Sequence, residues 1–161
     1  MRSLARLFSP FMLCASPLML CAALAAASAR APAPTVLGYW REPGGSVIRI
    51  APCDRQLCVA IVSVSAGNHP VTDVRNPDPG LRARSLCGLR IGAGFTEIDA
   101  QHARGGRLYD PRSGRTYNGQ MTAEGNLLQL RGYVGLPMFG RTQTWVRTAA
   151  PPPCSATRSS R

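Results

Sequence analysis

Short segments in which apolar and polar residues alternate follow one another along most of the chain, separated by turns rich in glycine, proline, aspartate and asparagine. In segment 127–134, the leucines at every second position would face one side of a strand, while Gln129 and Arg131 face the other. No segment keeps a helical period. The pattern predicts eight β-strands, at residues 36–41, 46–53, 57–66, 87–95, 107–110, 116–123, 127–134 and 141–147.

Eight short strands joined mostly by hairpins predict an all-β fold, a small up-and-down antiparallel barrel, because closure leaves no strand edge exposed. Residues 36–148 would form this domain. A flexible linker at 30–35 would precede it, and a tail at 149–161, rich in proline, serine and arginine, would follow.

Two loops between these strands carry further expectations. Segment 110–114 fits a hairpin loop with a left-handed glycine, and Tyr109 and Tyr117 would flank it as a cross-strand aromatic pair. Segment 132–140 is more apolar and has two interpretations, a bend of the barrel or a hydrophobic loop at a ligand mouth.

The first 29 residues have the form of a secretory signal peptide. Arg2 and Arg6 give a positive start, residues 7–24 are apolar and uncharged, and the small residues 27–29 suit cleavage near Ala29. The chain is therefore expected to be periplasmic or secreted, with no membrane span after cleavage.

A membrane anchor and a lipid attachment are the alternatives for this segment. Pro10 and Pro17 interrupt the apolar run, which disfavours a spanning helix. Cys14 and Cys21 each follow a leucine, where lipoprotein signals have a small residue.

Four cysteines follow the signal, an even number that suits an oxidising compartment. Cys53 and Cys58 flank a four-residue loop, which would place them opposite each other across paired strands. By elimination Cys87 would pair with Cys154. A zinc site is disfavoured because the later cysteines are far apart and form no second close pair. We expect no metal and no cofactor.

The net charge of the chain limits the classes of partner that it is expected to bind. All 19 basic residues are arginine, and 17 of them follow residue 29, against 8 acids, which gives the mature chain a formal charge of +9. Export and the scattered placement of the arginines disfavour nucleic acid. Anionic lipid, polysaccharide or an acidic protein are the remaining charged partners.

Two short motifs at the ends of the predicted barrel resemble those of lipocalins and their calycin relatives. Gly38-Tyr39-Trp40 gives the first strand a G-x-W, and the last strand ends in Trp145-Val146-Arg147. The resemblance implies that Trp40 packs under Arg147 and plugs the closed end of the barrel, and a guanidinium stacks well on an indole.

Three longer segments carry a second resemblance: residues 76–88, residues 109–117, and residues 131–135 together with Gly140-Arg141-Thr142-Gln143-Thr144-Trp145. Together with the G-x-W and the close cysteine pair, they are similar to the bacterial family called domain of unknown function 2147 (DUF2147). The resemblance implies an exported, small, calycin-like barrel. It implies no established activity.

The longest irregular segment, 67–85, has the densest set of polar side chains and is the best candidate for function. The spacing of its acids fails the calcium-loop pattern. An internal role is the other interpretation, with Asp73 and Asp78 paired to Arg82 or Arg84. With three residues beyond it, the candidate ligand-binding residues are Asp73, Asn76, Asp78, Arg82, Tyr109, Tyr117 and Arg141.

Catalysis has no motif behind it. His69 and His102 could serve as bases. Glu97 and Asp99 are two residues apart on one strand, so their carboxylates would project to the same face. The chain nevertheless has no G-x-S-x-G or comparable nucleophile signature. We expect a protein that is not an enzyme.

Two functions remain. The first is a barrel that binds a small apolar or amphipathic ligand through inward residues such as Ile48, Ile50, Val59, Ile61, Leu128 and Leu130. The alternative is a cell-envelope interaction module that uses its basic surface against anionic lipid or polysaccharide, with the barrel filled by its own side chains.

Overall fold

The computed structural model describes residues 33–65, 70–152 and 154, and the signal-peptide segment and His69 lie outside them. Eight strands form a closed antiparallel barrel. They are β1 Gly38–Arg41, β2 Val47–Cys53, β3 Gln56–Ser63, β4 Arg90–Asp99, β5 His102–Asp110, β6 Arg115–Glu124, β7 Leu127–Tyr133 and β8 Arg141–Thr148. The predicted all-β barrel of eight strands is confirmed.

Each strand pairs with the next, and β8 closes the barrel against β1, where Trp40 lies opposite Arg147. The connections at 54–55, 100–101 and 125–126 share one end of the barrel, which we call the plug end. The connections at 42–46, 64–89, 111–114 and 134–140 share the other end, the loop end. No helix in the described residues is long and apolar enough to cross a bilayer.

The interior is filled by side chains of the barrel itself. Phe95 lies against two glycines of neighbouring strands, since a Cβ added at Gly106 would come within 2.3 Å of its ring and one at Gly119 within 2.8 Å. The ring therefore needs both glycines in order to fit. The inward apolar positions form one core of Trp40, Ile48, Ile50, Leu57, Val59, Ile61, Phe95, Ala103, Met121, Ala123, Leu128, Leu130 and Trp145.

Strands β4 and β5 extend well beyond their predicted bounds. The sequence placed a long gap between residues 95 and 107, but a tight turn at 100–101 joins the two strands there. Within this stretch, Gly105 takes a positive φ of 79° where the β5–β6 register shifts. Glycine here allows a bulge and makes room for Phe95, so the strand continues.

The hairpin loop at 111–114 forms, but the predicted tyrosine pair is wrong. Asp110 pairs with Arg115, which sets Tyr109 opposite Thr116 and Tyr117 opposite Leu108. Because successive residues of a strand face opposite sides, this one-residue offset sends the two tyrosines to opposite faces of the sheet. Tyr109 lies outside the barrel wall and Tyr117 inside.

Two disulfides join the four cysteines of the barrel domain and its tail, as expected. Cys53 and Cys58 are bridged across the β2–β3 hairpin with their Cα atoms 5.6 Å apart. Cys87 is bridged to Cys154, at 6.0 Å, and ties the tail to the connection between β3 and β4.

Candidate functional site

Trp40 and Arg147 meet at the plug end. The guanidinium carbon of Arg147 lies 4.1 Å from the indole centroid. Its nitrogens donate to the carbonyls of Leu37, at 3.0 Å, and Thr35, while Trp40 Nε1 donates to the carbonyl of Val36 at 2.9 Å. Burial lowers the pKa of the Arg147 guanidinium. These contacts anchor the segment before β1, so the pair has a structural role.

The long connection at 64–89 is anchored to the barrel wall by one buried carboxylate, that of Asp73. Its Oδ1 accepts a hydrogen bond from the Tyr109 hydroxyl at 2.6 Å. Its Oδ2 accepts from Asn76 Nδ2 at 2.7 Å and from Arg84 Nε at 2.9 Å, and Arg84 Nη2 lies 2.7 Å away. The carboxylate thus joins two parts of the loop to strand β5.

The environment of Asp73 favours its charged form. Burial alone would raise the pKa of this carboxyl, but the hydrogen bonds from Tyr109, Asn76 and Arg84 outweigh burial and lower the pKa. Burial and the hydrogen bond to Asp73 raise the pKa of Tyr109 to about 12. Near neutral pH the pair is therefore a neutral phenol donating to a carboxylate.

The remaining candidates of this loop bond to one another. Asp78 Oδ1 accepts from the Gly80 backbone N–H at 2.8 Å, and Asn76 Oδ1 accepts from that of Asp78 at 2.9 Å. Arg82 Nε donates to the Asn76 carbonyl at 2.9 Å. The expected pairing of Asp73 with Arg84 is present, but the pairing of Asp78 with an arginine is wrong, because Asp78 caps a short turn instead. Most polar atoms of this cluster hold the loop.

A shallow groove of about 180 Å³ lies on the outer wall beside this cluster. Small-molecule sites commonly occupy roughly 300–1,000 Å³ and enclose most of the ligand. The outer groove is smaller than that and open, so it is a poor candidate for a ligand site. Its lining residues are Arg90, Ile91, Gly92, Ala93, Arg107, Tyr109 and Thr116.

Along the inward face of β8, the side chains are buried in the middle of the barrel and exposed near the loop end. Trp145, Gln143 and Arg141 occupy alternate positions, and the β7–β8 register runs without a shift, so all three share the inward face. Trp145 is buried in the core, whereas Gln143 and Arg141 are exposed. Trp145 Nε1 donates to Gln143 Oε1 at 3.1 Å, which agrees with this orientation. The lumen is thus open to solvent at the loop end.

Gly132 and Tyr117 complete this open region, which we call the vestibule and define as Tyr117, Gly132, Arg141 and Gln143. Gly132 pairs with Arg141, and a Cβ added to it would lie 3.6 Å from Tyr117 Cβ. Within the described part of the chain, the Arg141 side chain makes no hydrogen bond and no ion pair. Two of the seven predicted ligand-binding residues, Tyr117 and Arg141, therefore lie in the vestibule, on either side of Gly132. The other five lie on the outer wall.

Sequence reasoning missed Gly132 and Gln143 as parts of a site. Counting back in twos from Trp145 would have found Gln143, since an inward strand position stays inward two residues away. Gly132 gave no signal of this kind, because a strand glycine indicates a bulge, a bend or a close approach equally well.

The connection at 134–140 turns the chain from β7 to β8 through a short 3₁₀ turn, Pro137–Phe139. It is also a hydrophobic loop at the loop end, since Met138 is 72% exposed and Phe139 77%. Arg131 holds it by donating from Nε to the Pro137 carbonyl at 2.7 Å and from Nη2 to that of Met138 at 3.2 Å. The segment is thus a bend with an exposed apolar tip, and a ligand mouth at this place stays a prediction.

The catalytic candidates do not converge. His102 Nδ1 lies 2.8 Å from Asp99 Oδ1 in the exposed β4–β5 turn, where the hydrogen bond from His102 and the Gln101 backbone N–H lower the pKa of Asp99. The register shifts between Glu97 and Asp99, so their alternation does not make a pair. In the described ranges, no three His, Cys, Asp or Glu side chains are grouped to hold a metal ion.

Comparison with known proteins agrees with this architecture. A structure titled "Protein HP1028 from the human pathogen Helicobacter pylori belongs to the lipocalin family" superimposes with a TM-score of 0.63 at 22% sequence identity, over 70% of this chain and 82% of that one. At this identity the likeness shows the fold. No curated protein matches the chain significantly. The model of the family described as "Uncharacterized protein conserved in bacteria (DUF2147)" matches residues 38–147, and the chain belongs to that family.

Proposed function

We propose that this protein is an exported, non-catalytic barrel that binds a small amphipathic molecule with an anionic group in the vestibule. The observation that carries the proposal is Arg141, a guanidinium on the inward face of the barrel that is exposed and has no partner in the described residues. The two disulfides support export, because such bonds persist in oxidising compartments.

The chemistry of the vestibule suits a ligand with two different ends. The planar guanidinium of Arg141 offers paired N–H donors to a carboxylate, sulfonate or phosphate. Tyr117 offers an aromatic surface beside it, and Gly132 leaves room because it has no side chain. The charged end and the apolar end of one small molecule are thus both accommodated.

The filled part of the barrel limits the size of this ligand. The six apolar residues expected to line a pocket face inward but are all buried in the core, so they close the floor of the vestibule. A long chain would have to displace core side chains, which are packed at interior density. We therefore propose a short ligand.

Decanoate and decanol test the role of Arg141 by displacing the fluorescent sulfonate 1-anilinonaphthalene-8-sulfonate. Arg141→Gln is expected to weaken decanoate binding about tenfold or more, because a charge-assisted hydrogen bond is lost, and to leave decanol binding unchanged. Arg49→Gln, at an exposed outward position of β2, is the matched control and should bind both probes normally.

Gly132→Val tests the place of binding. An added Cβ meets only Tyr117, at ordinary contact distance, and Gly132 is only half-buried, so the barrel is expected to fold, and both probes should bind more weakly because the space is filled. The proposal is wrong if wild-type protein fails to bind decanoate, or if neither substitution changes its affinity.

A further inference from the structure

Exposed apolar side chains are concentrated at the loop end. Of the ten large hydrophobic side chains that are exposed in the described residues, seven lie there. Four of the seven belong to the connection between β7 and β8: Val134, Leu136, Met138 and Phe139. Single exposed apolar residues are ordinary, but a group of four on one loop marks an interaction surface.

Three carbonyls at the tip of this loop accept hydrogen bonds within the protein. The carbonyls of Leu136 and Pro137 accept from the N–H groups of Phe139 and Gly140 at 3.1 and 3.0 Å. Arg131 donates to the carbonyls of Pro137 and Met138, and its Nη1 donates to Thr142 Oγ1 at 2.9 Å. Moving the loop into an apolar medium would leave these three carbonyls bonded, which lowers the cost of burying this backbone.

The two strands and the connection that carry this apolar tip hold positive charges only. No acidic residue occurs after Glu124, so β7, β8 and their connection carry only arginines, with Arg131 and Arg141 on either side of the apolar tip. Long cationic side chains beside an apolar segment can stay at the level of lipid headgroups while the segment enters below them. Anionic headgroups would add electrostatic attraction.

We infer that the 134–139 loop inserts into the interfacial layer of a bilayer that contains anionic lipid. A bilayer fits better than a protein partner because the loop offers apolar side chains, and the carbonyls at its tip are already bonded. Protein interfaces typically need about one hydrogen bond per 100–200 Å². The inference depends on the exposure, bonding and charge of this loop, and it holds whether or not the vestibule binds a ligand.

Phe139→Trp provides the reporter for the test, and the protein is produced from the full-length chain. The two native tryptophans are buried, so they form a constant background. With vesicles of phosphatidylcholine and phosphatidylglycerol, the emission of the new indole is expected to shift to shorter wavelength and to be quenched by brominated acyl chains. With phosphatidylcholine alone, both effects should be smaller.

A pair of variants gives the matched comparison. Met138→Ser/Phe139→Ser is expected to lower partitioning into the anionic vesicles about tenfold or more, because two large apolar side chains are lost from the tip. Ile98→Ser/Val146→Ser removes two apolar side chains, each about half exposed, away from the loop and should leave partitioning within about twofold. Both pairs are at exposed positions, so equal denaturation midpoints would show that all three proteins are folded.

Three results would overturn the inference. Wild-type protein that does not partition into the anionic vesicles excludes a lipid partner, and equal partitioning of the Met138→Ser/Phe139→Ser variant excludes this loop. A concentration-dependent blue shift of the Phe139→Trp protein without lipid would show that the surface pairs two copies of the chain instead.

Discussion

The two ends of this barrel are formed by the same strands, but an inward arginine is bonded at one end and exposed at the other. Arg147 and Arg141 both lie on the inward face of β8, six residues apart. Arg147 is stacked on Trp40 and bonded to two carbonyls, whereas Arg141 is exposed in the vestibule. Arg147 therefore stabilises the plug end, whereas the Arg141 guanidinium at the loop end has no hydrogen-bond or ion-pair partner among the described residues.

The largest effect is expected from Trp40→Ala at the plug end. The side chain is fully buried, so its removal leaves a cavity under Arg147 and an unbonded Val36 carbonyl. The free energy of unfolding should fall by about 3–5 kcal/mol, measured by denaturant titration. Tyr117→Ala at the loop end should cost much less, because that ring is only partly buried. Equal losses would abolish the contrast between the ends.

The disulfides run opposite to this contrast, because the longer cross-link is at the loop end. Cys87–Cys154 cross-links the loop end over a separation of 67 residues, and Cys53–Cys58 a hairpin over 5. On the chain-entropy account, replacing the first pair with serine should cost about 4 kcal/mol and replacing the second about 2 kcal/mol. Denaturant unfolding of the two double variants gives the comparison. The reverse order would mean that the loop end is held by its noncovalent contacts.

Some features of the barrel could be predicted from the sequence, and others could not. The plug end was predictable, because a G-x-W in the first strand and an arginine in the last have definite positions once eight strands are counted. The strand bounds around Gly105 and Gly106 were not, because glycine that breaks a strand and glycine that receives the ring of Phe95 look alike in a sequence.

The candidate site was harder to predict for a related reason. Residue types drew attention to the polar loop at 67–85, whose acids mostly bond to their own neighbours. Register decides which residues face the lumen, and a one-residue offset in the 111–114 hairpin separates Tyr109 from Tyr117. Arg141 and Tyr117 could be named as candidates from the sequence. Only the strand pairing shows that they lie on either side of Gly132.

The pH dependence of the effect of Asp73→Asn tests whether the charge of Asp73 stabilises the loop end. The folded pKa of Asp73 is lowered relative to its ordinary value of 3.8, so the carboxylate contributes stability above that value and loses the contribution as the pH falls through the folded pKa. Near neutral pH the substitution should cost about 2 kcal/mol, since hydrogen bonds to a charged group are weakened. In denaturant titrations from pH 7 to about pH 2, the gap between variant and wild type should narrow with acidification. A gap that is independent of pH would show that the charge of Asp73 does not matter.

The smallest effect is the most direct test of the comparison, because it uses the same substitution at both arginines. Arg147→Gln removes the cation–π contact and two hydrogen bonds to backbone carbonyls and should cost about 2 kcal/mol. Arg141→Gln removes no hydrogen bond, ion pair or cation–π contact within the described residues, and the position is exposed, so the free energy of unfolding should change by less than about 0.5 kcal/mol. Parallel denaturant titrations measure both values. A large loss at Arg141 would mean that its guanidinium stabilises the barrel and is not free to bind an anion.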